Sequence, residues 1–383
     1  MKGFSNRMKT AQEYYFSAKL REVNQLIADG KPVINLGIGS PDLSPDPSVI
    51  QALQNTVSQS QTHGYQSYQG IPKMRIAMSD YYRSQFQVEL NPFEEILPLM
   101  GSKEGILHIS LAFLNPGDAV LIPDPGYPTY TSVTQLLECE AIYYPLLEDG
   151  APDWDYLKNL DLSRIKLFWV NYPHMPTGYR GSKELFEKLV DFAKSNELIL
   201  VNDNPYSHIL NPEPLSILSI DGAQEVALEL NSLSKTFNIP GWRVGMVCGK
   251  KDWIQAILRV KSNMDSGMFL GIQKGATAAL KLGKTWYEDL NQHYSNRRKL
   301  VWELADLLGL SYVKDRSGLF VWGKVPSNIQ AEELVDQLLY EKYIFITPGK
   351  IFGNAGKDYV RISLCMPEYK ILEAIKRIKA QNL

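Results

Sequence analysis

"SLSKTFNIPGWRVG", residues Ser232–Gly245, places two serines just ahead of Lys235, an arginine eight residues after it, and no clear apolar periodicity in between. A lone lysine is ordinarily a solvated surface charge, and that reading leaves the ordered set around it unexplained. Written S-x-S-K-x-x-x-x-x-G-x-R-x-G, the stretch fixes six positions. At an average usage of roughly 6% per residue type, a chance match in a chain of this length is on the order of 1 in 10⁵. The neighbouring sequence has to say what the lysine serves.

Around this stretch, from about residue 50 to 285, short apolar or β-branched runs alternate with helical patterns. The runs are "EILPLM" (95–100), "AVLIP" (119–123), "AIYYP" (141–145), "KLFWVN" (166–171), "LILVN" (198–202), "VALELN" (226–231) and "VGMVC" (244–248), with helices such as 182–194 between several of them. Strands of this length separated by helices predict an α/β domain with a large, doubly wound, mostly parallel sheet covered on both faces. Beyond it come a long charged helix from 284 into 308, the strand "GLFVWGKV" (318–325), a helix at 331–341, "YIFITPG", "YVRISLC" and a final helix. These predict a smaller α+β lobe. We divide the chain into a large domain of residues 50–285 and a small domain of 1–49 with 286–383. The N-terminal "PVINLGIGSPD" fits packing against either lobe.

The chain has 383 residues, with 40 Lys and Arg against 42 Asp and Glu, a formal net charge of −2. No long basic or acidic block stands out, so neither nucleic acid nor an anionic membrane is expected as a partner. Cys139, Cys248 and Cys365 are far apart and odd in number, which suggests neither a disulfide framework nor a zinc site, and no metal is expected. A reducing cytoplasm fits them best. The N-terminal twenty residues lack a signal-peptide core, and no run approaches the roughly 18 apolar residues of a membrane span.

Two phosphate-binding patterns fail. "GLFVWGKV" matches G-x-x-x-x-G-K but ends in Val325 where a hydroxyl should ligate magnesium, so it reads as a strand. "GIGSPD" carries Asp42 at the third glycine position of a dinucleotide fingerprint, with no βαβ unit following. Three other segments carry more. "LILVNDNPYSHI" sets Asp203 at the end of a buried-looking strand with Tyr206 three residues later, at the sheet edge where ligands of α/β proteins sit. "EILPLMGSKEGILHISLAFL" runs from strand through Gly101 into a helix, so the amides of Ser102 and Lys103 face outward at a positive helix end, an anion site in waiting. "DYVRISLC" puts Arg361 inside an apolar strand, a costly place for an unpaired guanidinium.

The set resembles the class I and II aminotransferases, pyridoxal-phosphate (PLP) enzymes of the aspartate aminotransferase fold, over nearly the whole chain and with the motifs in family order. The resemblance implies that Lys235 holds PLP as a Schiff base, that Asp203 pairs with the ring nitrogen, and that Tyr206 hydrogen-bonds the ring oxygen. It implies a phosphate cup of Gly101, Ser102, Lys103, Ser232, Ser234 and Arg243, whose planar fork lysine would not replace. Tyr127 of "IPDPGYPTY" is expected to stack on the ring. Tyr65 of "GYQSYQGIPKMRIAM" is expected to reach the phosphate of a neighbouring subunit, which implies a homodimer with shared sites. Arg361 would clamp the substrate α-carboxylate, with the backbone of Ile38 and Gly39 facing it. "NYPHMPTG" departs from the family: Met175 stands where an asparagine usually donates to the cofactor, and a thioether cannot donate. Asn171 is the candidate to compensate, and the ring oxygen is expected to lean more on Tyr206.

The function implied is a ping-pong transfer of an amino group from an L-amino acid to a 2-oxo acid, commonly 2-oxoglutarate, in amino acid metabolism. The same residues also support a C–S or β-lyase, an aminocyclopropane carboxylate synthase-like enzyme, or a PLP-binding regulator without catalysis. For the donor, "RVKSNMDSGMFLG" (259–271) and "INLGIGSPD" resemble the bacterial subgroup that holds LL-diaminopimelate, aspartate and aromatic or methionine aminotransferases. A pocket near Tyr15, Phe16 and Ile38 would suit an apolar or aromatic side chain.

Overall fold

The computed structural model describes residues 3–9 and 15–380. Seven strands form the main sheet: β1 Ile96–Leu99, β2 Ala119–Asp124, β3 Glu140–Pro145, β4 Ile165–Val170, β5 Ile199–Asn204, β6 Ala227–Ser232 and β7 Gly245–Cys248. Their order is β1-β7-β6-β5-β4-β2-β3, with β7 antiparallel to both neighbours and the remaining pairs parallel. All seven runs expected as strands are strands of one sheet. β6 and β7 are buried at every position, and β4 and β5 at all but one, because helices cover both faces, which is why they read as largely apolar runs rather than alternating ones. Edge strand β3 is only partly covered, so its sequence mixes apolar and polar residues.

The flanking helices follow their sequence periods. Helix Lys183–Ser195 buries Leu185, Phe186, Leu189, Val190 and Ala193, one face at helical spacing. It starts where it does because the Ser182 hydroxyl accepts a hydrogen bond from Leu185 N at 3.2 Å, a cap that contributes about 1 kcal/mol. The apolar packing on the two sheet faces forms two clusters, one around Phe168, Phe186 and Leu200 and the other around Trp169, Val201 and Leu230.

A third cluster contains Val23, Ile34 and Leu36 together with residues from Leu290 to Ile378. Its four-stranded antiparallel sheet runs Thr347–Pro348, Tyr359–Ser363, Phe320–Lys324, Ser311–Tyr312. "GLFVWGKV" is thus a strand, as its apolar interior required. In the N-terminal segment, Ile34–Asn35 lies parallel to Ile344–Phe345.

This topology brings six strand ends to one edge, that of edge strand β3 among them. β1 through β6 all finish there, and β7, running the other way, begins there just after Arg243. Gly245 lets the strands and the next helix meet: a side chain there would lie 2.8 Å from both Asn231 O and Ser102 N.

Candidate active site

The opening stretch lacks periodicity because it is four short pieces. Ser232 ends β6 and caps a one-turn helix, its hydroxyl accepting from Ser234 N at 3.2 Å; a 3₁₀ turn over Pro240–Trp242 follows, and Arg243 sits at φ 54° before β7. A non-glycine residue in that left-handed region costs of order 1 kcal/mol or more, and here it aims the guanidinium back at the sheet edge. Its Nη1 donates to Pro240 O at 2.9 Å. Opposite it, Gly101 holds φ 95°, and a Cβ there would fall 2.1 Å from Arg243 Nη2. The positive φ favours glycine at this turn, and a Cβ would push the guanidinium aside.

A cavity of about 470 Å³ opens at this edge. Of the residues expected at the site, Ile38, Gly39, Ser102, Lys103, Tyr127, Asn171, Met175, Asp203, Tyr206, Ser232, Ser234, Lys235, Arg243 and Arg361 line it. Lys235 Nζ donates to Gly39 O at 2.7 Å. Burial, opposed by Cys365 and helped by the smaller effects of the Arg243 and Arg361 charges, pushes its ammonium down to about 8. Burial and the Arg243 charge also lower Lys103.

Asp203 is 4% exposed. Burial raises its carboxyl to about 7, against the hydrogen bond from Tyr130. That bond runs from the Tyr130 hydroxyl to Asp203 Oδ2 at 2.8 Å, while Oδ1 receives no hydrogen bond from any described residue. A buried carboxylate oxygen without a donor implies one supplied from outside the chain. Burial likewise raises the Tyr206 phenol.

Arg361 is buried and ordered from several sides. Its Nη2 donates to Gly37 O at 2.9 Å and Nη1 to Met175 Sδ at 3.2 Å. Its guanidinium carbon lies 3.8 Å from the Phe320 ring centre and 4.6 Å from that of Phe352. Two aromatic faces stabilise the cation by roughly 0.5–2 kcal/mol each. Met175 therefore reaches the arginine through sulfur. Asn171 lines the cavity with its carboxamide engaged at both ends: Nδ2 donates to the Asp203 carbonyl, and Oδ1 accepts from Met175 N at 2.8 Å. In this arrangement it holds the strand ends together, with one N–H of its amide still uncommitted.

Two expected residues stand apart. Tyr65 lies outside the cavity and is 91% exposed. Tyr15 does not line the cavity either; it is half-buried, with its phenol pushed up to about 12 by burial, beside the charges of Lys19, Asp336, Glu22 and Glu332. Leu20, further along the same helix Tyr15–Ala28, lines the cavity instead, because the helix turns that face inward. The Phe16 side chain lies outside the described residues.

Sequence reasoning missed Leu20, Pro205, Phe320 and Phe352 in the lining, and Tyr130 behind Asp203. Tyr130 was within reach of the sequence, three residues after Tyr127 in the same motif. Phe320 was hidden in a strand that reads as core.

An amine, a carboxylate lacking a donor, a helix start with a glycine cradle and an arginine, and a tyrosine beside them fit one group: a pyridine carrying an aldehyde and a phosphate. The model of the class I and II aminotransferases matches residues 31–378. LL-diaminopimelate aminotransferase of Aquifex aeolicus is 39% identical over 384 residues, covering 99% of each protein, and that of Natranaerobius thermophilus is 39% identical over 378 residues, covering 98% of each. Among solved structures, apo BacF of Bacillus subtilis superposes with a TM-score of 0.95 at 32% identity, over 100% of this chain and 99% of that one. A single mutant of Thermus thermophilus aspartate aminotransferase gives 0.92 at 27%, covering 100% of both. The chain belongs to the class I and II aminotransferases. It is a PLP-dependent aminotransferase with the aspartate aminotransferase-like fold.

Proposed function

We propose that this enzyme takes the α-amino group from LL-diaminopimelate and delivers it to 2-oxoglutarate in two half-reactions. The observation that carries the reading is the convergence of Lys235 Nζ, Asp203 Oδ1 and the Arg361 guanidinium on one cavity. The donor rests on relatives that carry that name, at up to 39% identity over full length. A second donor class, amino acids with apolar or aromatic side chains, is favoured by Leu20, Ile38, Phe320 and Phe352 in the lining.

The roles follow from position. PLP, when bound, supplies the aldehyde that takes up the amino group and an electron-withdrawing ring. Asp203 Oδ1 is the acceptor for the ring nitrogen, Tyr206 the donor to the ring oxygen, and Tyr127 the aromatic face beside the ring. The amides of Ser102 and Lys103, the hydroxyls of Ser232 and Ser234, and Arg243 hold the phosphate, with Gly101 leaving them room. Arg361 binds the substrate α-carboxylate beside Ile38 and Gly39, and Met175 presses on that arginine. Lys235, lowered to about 8, keeps a usable neutral fraction near neutral pH and moves the substrate Cα proton through Nζ. Phe320 and Phe352 exclude water from the arginine clamp.

Residues 50–285 form the PLP-binding domain, and 1–49 with 286–383 the small one. The exposed Tyr65 makes sense as a contribution to a second subunit's phosphate site, so the active form is a homodimer. Among the described residues, no helix is long and apolar enough to cross a membrane, and the three cysteines are buried and free, which fits a cytoplasmic enzyme. The test is a half-reaction screen following cofactor absorbance with LL-diaminopimelate, aspartate, methionine and aromatic amino acids in turn. Conversion to the pyridoxamine form by LL-diaminopimelate supports the proposal; conversion only by aromatic donors selects the second reading. Release of ammonia or pyruvate without that conversion would mean elimination, and no response to any amino acid would leave a PLP-binding regulator.

A further inference from the structure

Four ionisable side chains cluster away from the cavity lining and have no role in the chemistry above. Glu104 and His108 lie one turn apart on helix Ser102–Phe113, whose start offers the phosphate site. Lys261 ends helix Lys251–Lys261, and Asp265 follows it. His108 is 1% exposed and Lys261 2%. His108 Nε2 is 2.9 Å from Glu104 Oε1, Lys261 Nζ is 2.7 Å from Asp265 Oδ2, and the ligand atoms of Glu104, His108 and Asp265 all fall within 4.8 Å of one another. Buried ion pairs are weak evidence of stabilisation, so what such a group adds is direction.

That direction points two ways. Glu104 Oε2 accepts from Met100 N at 2.7 Å, which fixes the Met100–Gly101–Ser102 turn where the phosphate cradle begins. On the other side, Lys261 Nζ donates to Tyr68 O at 3.1 Å, and Asp265 Oδ1 accepts from Gly267 N at 2.8 Å. Gly267 lies so close to the segment after Tyr65 that a Cβ would meet Gln66 O at 2.4 Å. The three-ligand geometry would suit a divalent cation, but the Lys261 ammonium already supplies positive charge to Asp265.

We propose that Glu104, His108, Lys261 and Asp265 are positioning residues that couple the phosphate-cradle turn to the Tyr65–Gly70 segment. Anion binding at the turn and the order of the Tyr65 segment then rise and fall together, as linkage requires. The proposal rests on the assignment of a phosphate-bearing cofactor to the cavity. The test uses the full chain, freed of cofactor and reloaded, as wild type and Asp265→Asn, which removes the charge and keeps the shape. Titrations with PLP and with pyridoxal, which lacks the phosphate, are paired with amide hydrogen exchange of residues 65–70.

The expected result is a loss of about tenfold or more in PLP affinity, on the scale of one charge-assisted bond, with pyridoxal affinity unchanged. PLP should slow exchange over 65–70 in wild type, and at saturating PLP this slowing should be lost in the variant. Equal loss for both ligands, or slowing that survives in Asp265→Asn, overturns the coupling. If Asp265→Asn does not fold, Gly267→Ala displaces the same segment from its other side and must give the same selective loss. A stoichiometric divalent metal in wild type, with EDTA mimicking the variant, would replace the proposal with a metal site. Failure of wild type to bind PLP at all would instead defeat the functional reading on which this rests.

Discussion

Tyr130→Phe isolates one bond behind the Asp203 carboxylate. The phenylalanine keeps the ring that stacks on Trp169 at 4.9 Å and removes only the hydroxyl that donates to Asp203 Oδ2 at 2.8 Å. Burial already raises the Asp203 carboxyl from 3.8 to about 7 in the cofactor-free chain, so the native state holds a proton that the unfolded state releases above 3.8. Stability from this group therefore falls as pH rises through that window, by roughly 4 kcal/mol, and is flat above it. A hydrogen bond to a charged acceptor contributes about 1.5–3 kcal/mol. Without it the carboxyl should climb a further one to two units or so, and the fall should continue to about pH 8 or 9. Denaturant melts of the cofactor-free wild type and variant from pH 5 to 9 measure the difference directly. The destabilisation should be near 1 kcal/mol at pH 5, where both carboxyls are protonated, and larger by about 1.5–3 kcal/mol at pH 9. In an Asp203→Asn background the pH dependence of the difference should vanish. A destabilisation that is constant across the range would refute the reasoning, because the hydroxyl would then not favour the ionised form.

Gly101→Ala adds a Cβ at φ 95° and 2.1 Å from Arg243 Nη2, so PLP affinity should drop about tenfold or more while pyridoxal affinity holds; fluorescence titration of both ligands checks it. Arg361→Lys keeps the charge and loses the planar fork between Phe320 and Phe352, so KM for the amino donor should rise about tenfold or more with cofactor affinity unchanged, read from steady-state kinetics and PLP titration. Lys235→Ala should abolish turnover, and borohydride should fix the cofactor covalently in wild type only. Because burial disfavours the Lys235 ammonium, the cofactor-free wild type should gain stability relative to Lys235→Met as pH rises from about 8 toward 10.5, a trend that melts at several pH values would reveal.

The strands of the large sheet were legible because each contains a short apolar run bounded by turn residues, and for the inner strands burial on both faces is written in composition alone. The helix read at 182–194 was equally legible, and Ser182 turns out to be its cap. The site was legible where a residue's chemistry conflicts with its local setting: a lysine in an aperiodic stretch, an aspartate at a buried strand end, an arginine in an apolar strand. Tyr130, Phe320 and Phe352 conflict with nothing around them, and so they read as core. Tyr15 shows the reverse limit, since helix phase decides whether it or Leu20 faces the cavity, and that phase is set by packing against residues more than 300 positions away.

By itself the sequence determined the fold class, because that depends on residue type and short-range pattern, and through a family resemblance it marked the lysine and the carboxylate as candidates. Only the tertiary structure decided that Arg361 is held between two rings, that Asn171 is engaged at both ends, and that Asp203 has one oxygen bound and one open. Each of these is a contact between side chains from separate strands and loops. Their meeting depends on strand order and register, which local sequence does not encode.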